Sequence, residues 1–207
     1  MKIHIYPIGE MRANCYLIEN EGVAILIDPG DSADFLLSKV LEKNLKLSGI
    51  VATHGHFDHV MAVGEIQLTY PKLALHISPD DKFLLNRVVE TARHFLSYEP
   101  AVIPVGKTKN LATGKFELCN LKFEIINAPG HTPGSVCLYL EEQSILFSGD
   151  TIFQMGVGRF DFSYSSKEDL KKSIARILKL PKNTVVYPGH GEETTIEQEK
   201  NLIKMFF

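Results

Sequence analysis

Thr53-His54-Gly55-His56-Phe57-Asp58-His59 sets four side chains of metal-binding type within one short loop, directly behind the β-branched run Gly49 to Thr53. A strand end holds side chains at the rim of a sheet on a rigid base. Gly55 lets the backbone turn sharply, so that the imidazoles of His54 and His56, at i and i+2, can chelate one cation. Asp58 and His59, one turn further on, are offered to a second. Imidazoles and a carboxylate crowded this way would be costly to desolvate without a cation. The run therefore predicts metal chemistry at a strand-to-helix junction.

Three segments elsewhere repeat the strand-then-loop form. They are Ala128-Pro129-Gly130-His131-Thr132, Phe147-Ser148-Gly149-Asp150-Thr151 and Tyr187-Pro188-Gly189-His190-Gly191. Each contributes one potential ligand: His131, Asp150 and His190. Singly, a Gly-His or Gly-Asp turn carries little information. Five of the eight histidines thus follow strand-like runs, four of them beside a glycine. The others read as structural: His4 and His76 as half-buried strand positions, His94 as a residue in a helical stretch.

Around these loops the sequence predicts strands at Lys2 to Pro7, Asn14 to Glu19, Val23 to Asp28 and Gly49 to Thr53. A helix is expected behind Ser32 as its cap, where apolar side chains recur at Phe35, Leu36, Val40 and Leu41 as on one face. Helices are expected from near Val60 to before Pro71 and from about Asp80 through Val89 towards Phe95. Strands return at Lys115 to Cys119, Leu121 to Ile126, Ser135 to Leu140 and Ser144 to Ser148. An amphipathic helix to Leu178, a strand Thr184 to Tyr187 and a helix Thr195 to Phe206 close the pattern.

The chain has 207 residues, 44% hydrophobic and 23% charged, which is ordinary for a globular protein, and a single domain over 1–207 is expected. A net charge of -3 gives no basic excess to attract a phosphate backbone, so no nucleic-acid partner is expected. No apolar run approaches the roughly 20 residues that cross a bilayer, and Met1-Lys2 leads straight into a strand with no leader-like stretch. A cytoplasmic location without a membrane partner is the expectation. Cys15, Cys119 and Cys137 are odd in number and lie among strand-forming neighbours, and read as core packing residues.

The His-X-His-X-Asp-His run, followed in order by separate His, Asp and His loops, resembles the metallo-β-lactamase superfamily, most closely its glyoxalase II-like branch. The resemblance extends from Leu26-Ile27-Asp28-Pro29-Gly30 to Pro188-Gly189-His190. It implies an α/β fold of the αβ/βα sandwich type, two mixed sheets with helices on both outer faces. It also implies that His54, His56 and His131 hold one metal and that Asp58, His59 and His190 hold another, with Asp150 bridging. Asp28 and Thr53 are candidates to hydrogen-bond the ligands, because a metal-bound imidazole usually donates its second N–H to a carboxylate or carbonyl, while Asp28 reads equally as a turn-forming residue before Pro29-Gly30.

The implied function is a binuclear metallo-hydrolase in which a metal-bridging hydroxide, oriented by Asp58 as the catalytic residue, cleaves a small-molecule thioester or related acyl bond. Two divalent ions are expected, zinc first, although iron or manganese suits the same donors. Arg159, in Gly158-Arg159-Phe160-Asp161, is either a substrate contact or a structural ion-pair partner. The sequence stops at Phe207, soon after the last ligand loop, without the helical domain that glyoxalase II enzymes use for glutathione. Two other activities of the superfamily stand as alternatives: an iron-dependent persulfide dioxygenase and a phosphodiesterase or nuclease.

Overall fold

The structure is a computed structural model and describes residues 1–202 and Phe206. Two compact units divide the chain, Met1–Leu111 and Ala112–Phe207.

The first unit is a six-stranded mixed sheet in the order β1 (Lys2–Ile8), β2 (Ala13–Asn20), β3 (Val23–Ile27), β4 (Lys46–Val51), β5 (Leu75–Ile77), β6 (Thr108–Asn110). The β1–β2 and β2–β3 pairs are antiparallel; the remaining pairs are parallel. β2 and β3 read as nearly unbroken buried runs because they lie inside the sheet, whereas edge strand β1 mixes exposed and half-buried positions. α1 (Ala33–Glu42) crosses over between β3 and β4 and buries Ala33, Leu36 and Val40 on one face. These side chains join Leu17, Leu26, Leu47, Ile50 and Ile66 in one core. At roughly 1.5–3 kcal/mol for each large apolar side chain buried, that core gives the ligand loops a stiff base.

Several elements differ from the sequence expectation, each for a local reason. Ser32 stands at the start of α1, but its backbone is left-handed (φ 51) and its hydroxyl bonds Asp31 Oδ1 rather than capping the helix. Strand β4 ends at Val51, because the backbone N–H of Thr53 turns to the Asp28 carboxylate. The helix expected from Val60 is two pieces, α2 (Phe57–Val60) and α3 (Val63–Thr69). The break falls where Ala62 donates its N–H to Pro29 O instead of continuing the helix. The next helix is likewise divided into α4 (Lys82–Leu85) and α5 (Val88–Leu96), with Arg87 N–H closing a tighter turn onto Leu84 O.

The second unit is also a six-stranded mixed sheet, formed by β7 (Gly114–Leu118), β8 (Leu121–Asn127), β9 (Val136–Leu140), β10 (Ile145–Gly149), β13 (Val185–Pro188) and β14 (Thr194–Thr195), with a small hairpin of β11 (Ile152–Phe153) and β12 (Gly156–Val157). The β10–β13 pair is parallel and the other pairs antiparallel. In β8, Leu121, Phe123 and Ile125 point inward while Lys122 and Glu124 point out, the period of a half-buried strand. α6 (Lys167–Ile177) starts at Ser166, whose hydroxyl accepts from Asp169 N, and buries Leu170, Ser173, Ile174 and Ile177. α7 (Ile196–Leu202) begins with a reciprocal cap: Gln198 N donates to Thr195 Oγ1 and Thr195 N to Gln198 Oε1. The expected continuation to Phe206 runs through residues 203–205, which lie outside the described residues.

Cys15 and Cys137 are buried core residues, as expected; Cys119 is half-buried in the tight β7–β8 turn, at φ 52. Burial pushes the Cys137 thiol up to about 12, which leaves it inert at neutral pH. No helix among the described residues is long and apolar enough to cross a membrane.

Candidate metal centre

In the first unit the site grows from the ends of β3 and β4. Asp28 directly follows β3 in a left-handed conformation (φ 53) and is 1% exposed. Its carboxylate collects three donors. Thr53 N reaches Oδ1 at 2.7 Å, Thr53 Oγ1 reaches Oδ2 at 2.7 Å, and His59 Nδ1 lies 3.1 Å from Oδ2. A buried acceptor this heavily used ties the two strand ends to α2, which carries His59.

Donor arithmetic then fixes the tautomers. The Thr53 hydroxyl spends its one proton on Asp28, so towards His54 Nδ1, 3.1 Å away, it can only accept. His54 therefore carries its proton on Nδ1, and its Nε2 keeps the lone pair. His59 likewise donates from Nδ1 to Asp28, leaving Nε2 to face Asp58 Oδ2 at 3.8 Å. His54 Nε2 meets His56 Nδ1 at 3.1 Å, with both rings buried. Asp58 itself is half-buried and borders a cleft lined by Ile8, Met11, Phe57, Met61 and Leu96.

The second unit uses the same device with a different acceptor. His131 Nδ1 donates to the Arg159 backbone carbonyl at 2.8 Å, which leaves Nε2 facing Asp150 Oδ2 at 3.4 Å. His190 Nε2 lies 3.8 Å from the same oxygen. For neutral His131 this sets the Nε2 lone pair against a carboxylate oxygen, an arrangement that a cation relieves. Phe162 packs its ring against His131 at 5.9 Å and Ser165 Oγ donates to the His131 carbonyl, so the ring is held on several sides. Phe153 from the small hairpin packs edge-on against His190.

Within each unit, then, the structure brings the sequence-predicted residues together: His54, His56, Asp58 and His59 with Asp28 and Thr53 in the first, His131, Asp150 and His190 in the second. The chemistry of these donors, imidazole and carboxylate with hydrogen bonds behind the imidazoles, fits a divalent transition metal. Arg159 is exposed. Its guanidinium is bonded by two N–H groups to Asp161 at 2.9 and 2.8 Å, holding that carboxyl below the usual carboxylate range, and it lies over Phe162. The part of Arg159 that touches His131 is its carbonyl, which no reading of side-chain types discloses. His4 and His76 are half-buried, His4 against Glu19, and burial pushes His76 down. Asp81, fully buried and bonded to Gly55 N at 2.9 Å, is a carboxylate at the ligand loop that the sequence reading passed over.

The sequence pattern described as the metallo-beta-lactamase superfamily matches residues 8–190. Hydroxyacylglutathione hydrolase GloC of Haemophilus influenzae is 36% identical over 97% of this chain and 95% of its own. Among solved structures, the BLEG-1 B3 metallo-beta-lactamase superposes with a TM-score of 0.89 at 30% identity, covering 97% of both chains. TTHA1623 in a di-iron-bound form gives 0.88 at 34% identity, covering 96% of this chain and 98% of its own. The fold class expected from the sequence is the one these structures share.

Proposed function

The chain belongs to the metallo-β-lactamase superfamily, and from that premise we propose that it is a binuclear metal-dependent hydrolase acting on a small-molecule thioester or related acyl bond. On the residue pattern of the superfamily, His54, His56 and His131 would hold one divalent cation, and Asp58, His59 and His190 another, with Asp150 shared. When bound, such a pair supplies a water acidified to a pKa near ~7 and a Lewis acid for a carbonyl oxygen. The protein residues do the rest. Asp28 and Thr53 keep the Nε2 atoms of His54 and His59 deprotonated and aimed. Asp58 would accept a hydrogen bond from the attacking water and orient it.

One observation carries the reading: the Asp28–Thr53–His54 relay that places the His54 proton on Nδ1 and sets Nε2 beside His56 Nδ1. The hydrolase GloC relative supports a thioester as substrate. Zinc is the proposed metal. The di-iron-bound neighbour supports iron as an alternative metal, and iron-dependent oxygen chemistry on a persulfide stands as the second reading, since the same donors accept iron.

The test is thiol release from S-lactoylglutathione by the zinc-loaded chain. Turnover that stops with EDTA and returns with zinc is expected. Absence of turnover in the zinc form, together with oxygen uptake on glutathione persulfide by the iron form, would contradict the hydrolase reading.

A further inference from the structure

Asp81 occupies the residue before α4, the position from which an aspartate ordinarily caps its own helix. It makes no such cap. Its carboxylate instead accepts the N–H of Gly55 at 2.9 Å, and Gly55 lies between His54 and His56. Residue 81 is 0% exposed, so a charged group that could have stabilised a helix start has been taken out of water and spent on the ligand loop.

The backbone approach is equally tight. A Cβ on Gly55 would stand 2.8 Å from Asp81 O and 2.9 Å from Leu84 Cβ, so only glycine lets the α4 turn come this close. The Gly55 peptide plane sets the directions of the residues on either side of it. Holding its N–H steadies the backbone from which the two rings project, whose nitrogens meet at 3.1 Å.

We propose that Asp81 is a positioning residue that pre-organises His54 and His56 for a divalent cation by anchoring the Gly55 peptide. This rests on the metal reading of His54 and His56 given above. Asp81 acts through the backbone and touches neither metal nor substrate. Ser78 Oγ accepts Asp80 N and caps the short turn that precedes α4, a bond separate from the Gly55 contact.

Zinc affinity of the full chain, read by competition with a chromophoric chelator, tests the proposal in Asp81→Ala, Asp81→Asn and, as a control for the stability of the turn, Ser78→Ala. Loss of an outer hydrogen-bond partner of a ligand lowers metal affinity by about 10–100-fold. That loss is expected in Asp81→Ala, a smaller one of about 3–10-fold in Asp81→Asn, which keeps an acceptor oxygen, and none in Ser78→Ala even where its melting temperature falls. Affinity within about two-fold of the parent in Asp81→Ala overturns the proposal. Should Asp81→Ala not fold, the same result in Asp81→Asn does so, and an equal loss in Ser78→Ala also overturns it. A parent chain that binds no zinc is a different result, which refutes the metal reading itself.

Discussion

Replacing Asp58 by alanine is expected to lower kcat/KM for thioester hydrolysis by about 10³-fold or more while the protein stays folded. Asp58 sits in the first turn of α2, half-buried, with Oδ2 3.8 Å from His59 Nε2 and its side chain bordering the cleft. Truncation removes a carboxylate from a site edge rather than from the core, so a stability change within about 1 kcal/mol is expected. The catalytic loss is larger because two roles vanish together. A positioned acid–base group is worth about 10²–10⁴-fold, and a cation loses one of its ligands as well. A 10³-fold loss corresponds to roughly 4 kcal/mol of transition-state stabilisation. Turnover within about ten-fold of the parent would remove Asp58 from the mechanism.

Gly30→Ala is the second large effect, and it acts through space alone. A Cβ at this position would stand 1.5 Å from the Asp58 carbonyl oxygen, 2.4 Å from its carbon and 3.1 Å from His59 N. These are backbone atoms, so no rotamer change relieves the overlap. Either the Asp28-Pro29-Gly30 turn or the start of α2 must move, and both carry the site: Asp28 holds His59, while Pro29 O receives Ala62 N. Overpacking of this kind costs about 1–3 kcal/mol or more, which for a chain of this size lowers the melting temperature by several degrees. Displacing a ligand by about 1 Å costs about 10²-fold in rate. Thermal denaturation and thioester assay on the same preparation check both. A variant with the parent's melting temperature and activity would mean that the turn and α2 are not in contact.

The ligand loops were legible because their chemistry is written in residue types at strand ends: His-X-His-X-Asp-His cannot be mistaken for core, and the Gly-flanked His131, Asp150 and His190 loops repeat its form. Among the long strands, β8 was legible from its alternating period and β2 from its nearly unbroken apolar run. The three-residue strands β5 and β6 were not, since so short a run shows no period and gains its place only by pairing, β5 with β4 and β6 with β5. The break between α2 and α3 is equally silent. It depends on Pro29 O taking the Ala62 N–H, a contact from a distant turn. Asp81 was hidden by a local rule that usually holds. In Ser78-Pro79-Asp80-Asp81 the residue falls at the start of the helix expected from about Asp80, where an acidic side chain is ordinary, and only the tertiary structure turns its carboxylate to Gly55. Arg159 shows the converse, because the sequence points to its guanidinium while its carbonyl orients His131.

The metal content of the chain tests the proposed binuclear centre most directly. Protein stripped with a chelator, incubated with excess zinc, desalted and analysed by plasma mass spectrometry is predicted to retain two zinc ions per chain. One ion or none would contradict the account.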